Sequence, residues 1–139
     1  GWGRYAEQLA EEGGFYQSPF APIARRLWPG RGMVADAALH SARWPEHEIK
    51  AFVAESGRYR GEEGEEFLDR LAVWPGQAAA YDSGALEILA LRAVARARLG
   101  RCFQIRSFHD AVLSAGSLPL AVLKTRIQNW IAAEAGKCH

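Results

Sequence analysis

WPGQAAAYDSGALEILALRAVARARLG, residues 74–100, is the stretch on which the reading of the fold turns. Pro75 suits a first helical turn, where its missing N–H leaves no bond unmade, and Gly100 supplies a stop. The longest helix of the chain is therefore expected over about 75–99, in a central position. On such a helix Gln77, Tyr81, Gly84 and Ile88 share one face, which sets an amide and a phenol in line with an apolar stripe. Polar tips in a buried face need partners. Glycine inside a helix costs about 1 kcal/mol relative to alanine, so Gly84 predicts close approach by another backbone or by a ligand.

Helical spacing continues on both sides. Trp2, Tyr5, Ala6 and Leu9 recur at intervals of three and four, and Gly13-Gly14 ends that segment at about 2–12. Beyond Pro19 and Pro22, Ile23–Trp28 runs into Pro29-Gly30, read as a break, so the second helix is placed at about 33–42. Pro45 opens a third, to about Ser56, with acids near the positive end of its dipole and Ile49, Phe52 and Val53 as its stripe. Gly61-Glu-Glu-Gly-Glu-Glu66 reads as a solvated loop and helix start, leading to a helix at about 65–73. Ser107 with Asp110 resembles a capping box for a helix to about Ser114. Ser117-Leu-Pro119 starts the last helix, whose expected buried stripe is Leu120, Leu123, Ile127, Trp130 and Ile131. The expected fold is all-α: about six helices in an irregular helical bundle, with no strand.

A chain of 139 residues fits a single domain with one core. Its formal net charge of +1 provides no overall field to draw in nucleic acid or an anionic membrane. The arginines at 92, 96, 98, 101 and 106 form a basic stripe without interleaved aromatic residues, so no nucleic-acid partner is expected. No apolar run approaches bilayer length, and no membrane partner is expected either. Cys102 and Cys138 are too few for a disulfide framework and too far apart for a CxxC motif, and leave one optional bridge.

The histidines are the residues on which metal or acid–base chemistry would turn. His47-Glu48 begins like a zinc-binding HExxH helix, but position 51 is alanine, so only one ligand is present and no metal site is assigned. His40 lies one turn after Asp36, where a carboxylate orients or satisfies an imidazole. His109 falls in a first helical turn beside Phe108, and His139 at a terminus expected to be disordered.

Four stretches together carry a family resemblance. They are Gly1-Trp-Gly-Arg-Tyr-Ala-Glu7; Asp36-Ala-Ala-Leu-His40 with Arg43-Trp44; Trp74-Pro-Gly-Gln-Ala78 with Tyr81 and Gly84; and Phe108-His-Asp-Ala-Val-Leu113 with Gly116, Leu118, Pro119 and Leu120. In this order they resemble the C-terminal part of the bacterial domain of unknown function 885 family, whose members are similar to zinc metallopeptidases of the gluzincin type. The resemblance implies a larger, mostly helical metallopeptidase-like fold. In the family the first motif reads Glu-Gly-Trp, its glutamate resembling the third zinc ligand, and an earlier His-Glu and Pro-Gly-His segment resembles the source of the other two. Neither lies in this chain, which is expected to be a fragment without its metal-binding segment, cut by proteolysis or by gene architecture.

The resemblance implies hydrolysis of a peptide or related amide by an intact, zinc-bearing parent, with no cofactor in this chain alone. Tyr81 is the first candidate for a catalytic hydrogen-bond donor to an oxyanion, and His40 the second. Asp36, Gln77 and His109 are candidate substrate-binding residues, Asp36 by orienting His40. Gly32 stands where the family has arginine and Ala38 where it has glycine, and Pro29-Gly30 interrupts a helix that is otherwise continuous. The expected partners are the missing N-terminal part of the same protein or a second copy, together with a peptide-like substrate. The competing reading is a non-catalytic helical protein-interaction module. The bacterial cytoplasm and the periplasm both remain open.

Overall fold

The computed structural model describes residues 1–138, apart from the side chain of Trp28; the expectation for His139 lies outside the described residues. The fold is all-α. Among the described residues seven α-helices follow one another: α1 Trp2–Glu12, α2 Ala21–Ala37, α3 Glu46–Ala54, α4 Glu62–Val73, α5 Gln77–Leu99, α6 Ile105–Leu113 and α7 Leu120–Ala135. A π-helical turn, Ala38–Ala42, extends α2, and a 3-10 turn, Gly100–Cys102, follows α5. Two compact units result, Gly1–Ala85 and Leu86–His139, with the boundary inside α5.

In the first unit the core cluster comprises Ala35, Ala38, Ile49, Val53, Leu68 and Leu71, contributed by α2, its π turn, α3 and α4. Ile49 and Val53 are the stripe expected on α3, and Phe52 packs against the cluster from the same helix. Tyr5 of α1 is fully buried, its ring 5.2 Å from that of Trp2.

The expected break at Pro29 does not occur, because α2 runs unbroken from Ala21 to Ala37 through the proline. Proline cannot donate to the carbonyl four residues back, which here is that of Arg25. The Arg4 guanidinium donates to that carbonyl instead, and also bonds Asp82 of α5 at 2.7 Å and Glu7. One arginine of α1 thus satisfies the group that the proline leaves open.

Gly84 behaves as its position predicted. A Cβ placed there would lie 2.7 Å from the Gly1 Cα, and one placed on Gly1 would lie 2.6 Å from the Gly84 Cα. The two backbones meet where neither residue has a side chain.

In the second unit, Phe108, Ala111 and Val112 of α6 and Leu123, Ile127 and Ile131 of α7 are buried. Leu120, expected in the α7 stripe, is 41% exposed at the helix start. The expected Ser107 cap is also displaced: α6 begins at Ile105 after Gln104, whose carbonyl accepts from the Phe108 N–H at 3.0 Å. Ser107 is therefore inside the first turn. The optional bridge is present, joining Cys102 to Cys138.

Candidate functional site

The start of α5 is fixed by a residue 40 positions earlier in the chain. Gly76 precedes the helix with φ 79°, a left-handed value that favours glycine, and its carbonyl accepts the first helical bond, from Ala80 at 2.9 Å. Glycine has no side chain with which to cap the exposed N–H groups. Asp36, 2% exposed, supplies the cap from α2: Oδ1 accepts from the Gly76 N–H at 2.9 Å and Oδ2 from the Ala79 N–H at 3.2 Å. One carboxylate makes both bonds of a capping box and sits at the positive end of the helix dipole.

With α5 anchored, Gln77 and Tyr81 present side chains one turn apart. Gln77 Oε1 accepts from Arg70 Nε at 3.0 Å, and Tyr81 Oη lies 3.5 Å from an Arg70 terminal nitrogen and 3.4 Å from Gln77 Nε2. These three residues line a cavity of about 640 Å³ within the first unit. Arg4, Arg25 and Arg58 also face it. Arg4 is paired with Asp82 and Glu7, and Arg25 with Glu11, whose carboxyl is held below its ordinary range by hydrogen bonds from Arg25 and Arg26. The Arg58 guanidinium lies 5.1 Å from the centre of the Tyr59 ring. Tyr59 has φ 61° and stacks on Phe67 with ring centres 4.2 Å apart, forming an aromatic wall. Gly32, where the family resemblance anticipates arginine, opens onto the same space.

His40 sits in the π turn, a departure from α geometry often found at functional sites. Its Nε2 is 3.0 Å from the Leu71 carbonyl and 3.7 Å from Asp36 Oδ1. A carbonyl only accepts, so Nε2 carries the proton of that bond, and Asp36 Oδ1 lies beyond hydrogen-bond distance. His40 does not line the cavity that holds Gln77 and Tyr81. His109 belongs to the second unit, on α6; burial holds its pKa below the ordinary value, and the charge of Arg92 acts in the same direction, against Asp110. Arg4 gave no local signal because Asp82 and Arg25 lie 78 and 21 positions away, and Arg70 gave none because Gln77 and Tyr81 stand beyond the Trp74-Pro75-Gly76 turn. The missing cap was the available signal: a helix opening with Trp-Pro-Gly-Gln needs its acceptor from elsewhere.

Among the described residues no group of three His, Cys, Asp or Glu side chains could hold a metal ion. The donor set for a zinc centre is therefore not supplied by these residues. No helix among the described residues is long and apolar enough to cross a membrane.

The family profile of "Bacterial protein of unknown function (DUF885)" matches residues 1–127. The chain belongs to the DUF885 family. This DUF885 chain is also similar to a candidate lipoprotein from Colwellia psychrerythraea, known from a crystal structure, with 36% sequence identity and a TM-score of 0.83. The match covers 95% of this chain and 23% of the other, so the chain spans about a quarter of that protein's length. None of the curated proteins matches it.

Proposed function

We propose that this DUF885 chain is the C-terminal, substrate-side part of a longer zinc-dependent hydrolase of the metallopeptidase-like, gluzincin type, acting on peptides or related amides. The observation that carries the reading is the Tyr81 hydroxyl, at the wall of a cavity large enough for a short peptide segment. Tyr81 then donates to the oxygen of the scissile carbonyl as negative charge develops there. Gln77 positions the substrate and Asp36 holds the helix that carries both residues. His40 is the second candidate donor and His109 a further substrate contact. The zinc ligands of the longer protein lie outside this chain. The experiment is Tyr81→Phe in that longer protein: kcat and kcat/KM are expected to fall by about 100-fold or more, and unchanged values would remove Tyr81 from catalysis.

The interaction-module reading has its own support. Phe15 and Phe20 are 78% and 74% exposed, and Ile23, Leu27 and Val34 form an exposed stripe along α2. Such a surface suits the remaining part of the same protein or a second copy. Sedimentation of the chain at rising concentration tests the second copy, and a strictly monomeric species would count against it.

The Cys102–Cys138 bridge and the candidate lipoprotein relative favour an oxidising compartment, the periplasm rather than the cytoplasm. Recovery of the native protein with both thiols free would reverse that assignment.

A further inference from the structure

The cations around the cavity are not equally matched. Arg4 and Arg25 face carboxylates. Arg70 does not: its side-chain partners are Gln77 Oε1 and Tyr81 Oη, both neutral. A guanidinium only donates, which fixes the Gln77 amide with its oxygen toward Arg70 and its nitrogen toward Tyr81. Tyr81 Oη is then approached by donors from both sides, and its own proton has no acceptor among the described residues.

Several N–H groups of Arg70, one N–H of Gln77 and the O–H of Tyr81 are thus left for whatever enters the cavity. All are donors, and the guanidinium among them has no carboxylate partner among the described residues. The matching group offers only acceptors, carries negative charge and is planar: a carboxylate. Beside this cluster Phe67 and Ala78 line the cavity, an apolar surface that an apolar side chain of a ligand would cover.

We propose that Arg70, with Gln77, forms a subsite for a carboxylate of a peptide, leaving the Tyr81 hydroxyl for the neighbouring carbonyl, and that an adjacent apolar side chain lies against Phe67 and Ala78. The peptide part rests on the hydrolase reading above, whereas the carboxylate follows from the donors. A chain-terminal carboxylate and an Asp or Glu side chain are the two sources, and both satisfy the same donors. In a substrate the carboxylate would lie next to the carbonyl served by Tyr81, which makes the preferred scissile bond one close to an acidic group.

Binding to the chain is measured by NMR titration with three probes: N-acetyl-Ala-Ala-Phe, its C-terminal amide, and N-acetyl-Ala-Asp-Phe amide. The free acid is expected to bind about 10-fold or more tightly than its amide, a difference of about 1.4 kcal/mol. Arg70→Gln is expected to abolish that preference, while Arg70→Lys, which keeps the charge and loses the planar fork, retains part of it. An Arg70-dependent gain for the aspartyl amide supports the site with a side-chain source; no gain supports it with a terminal source. Equal affinity for acid and amide, absence of binding by all three probes, or a preference that survives Arg70→Gln overturns the proposal. Arg70 is exposed, and a circular dichroism melt of each variant verifies folding. Failure here leaves the Tyr81→Phe kinetics untouched, and unchanged Tyr81→Phe kinetics leave the binding preference untouched, so the two ideas fall separately.

Discussion

The Arg4 guanidinium donates a hydrogen bond to the backbone carbonyl of Arg25, the acceptor that Pro29 leaves without a helical donor. With its side chain only 11% exposed, Arg4 also holds Asp82 and Glu7, so its loss strands several polar groups at once. Arg4→Met is expected to destabilise the fold by about 2–3 kcal/mol in urea denaturation. Pro29→Ala restores an N–H for the carbonyl, so in a double-mutant cycle the cost of Arg4→Met should shrink in that background. An identical cost in both backgrounds would show that Arg4 and Pro29 are not coupled.

Asp36 is the cap of α5, and this can be separated from any role beside His40. Asp36→Ala removes acceptors from the Gly76 and Ala79 N–H groups and is expected to cost about 2 kcal/mol. Asp36→Asn keeps one acceptor oxygen and should cost less. His40→Gln leaves the cap intact and should not reproduce the loss seen for Asp36→Ala. Equal denaturation midpoints for wild type and Asp36→Ala would refute the capping role.

His109 is expected to make the second unit sensitive to acid. Its folded pKa is depressed by burial first and by Arg92 second, whereas in the unfolded chain it titrates near its ordinary value of about 6.5. Above that value the imidazole is neutral in both states and the contribution to stability is intact. As pH falls through 6.5 toward the lower folded value, the unfolded state binds the proton first and stability is lost. Hydrogen exchange of α6 amides between pH 7 and pH 5 should show this loss, diminished in His109→Gln. An identical pH response in the two proteins would assign the effect to other groups.

The Cys102–Cys138 bridge closes a loop with a sequence separation of 36. Limiting the unfolded chain in this way is worth roughly 4 kcal/mol in the loop-entropy description. Reduction, or the paired Cys102→Ser and Cys138→Ser substitutions, should lower the urea midpoint of the second unit's unfolding by a corresponding amount. A midpoint unaffected by reductant would mean that packing of α6 on α7 alone holds the unit.

What could be read from sequence depended on how far apart the interacting residues lie. Residues 2–12 were legible as a helix because Tyr5 and Leu9 recur locally and Gly13-Gly14 follows. Gly84 was legible as a close approach, since only contact explains a glycine there, although its partner Gly1 was not. Pro29 was misread because its local preference is to break a helix, and the compensating Arg4 lies 25 positions away. Ser107 was misread because the Gln104 carbonyl starts the helix without any side-chain cap. At the cavity, Gln77 and Tyr81 stood out on one helical face, but Arg70 acquires meaning only across the Trp74-Pro75-Gly76 turn. The i, i+4 spacing of Asp36 and His40 suggested a pair, whereas the carboxylate is bonded to two backbone N–H groups on another helix.

The boundary between the two compact units falls inside α5, after Ala85, and not in a loop. A gene cut there would leave Gln77–Ala85, about two and a half turns, too short to hold helical form without tertiary support. Recombination that treats the units as exchangeable cassettes would therefore open a continuous helix and leave the segment that carries Gln77 and Tyr81 dependent on Asp36, Arg4 and Arg70 of its own unit. Inherited variation in the second unit should accumulate by substitution and by loop insertion, with its junction to the first carried intact from ancestor to descendant.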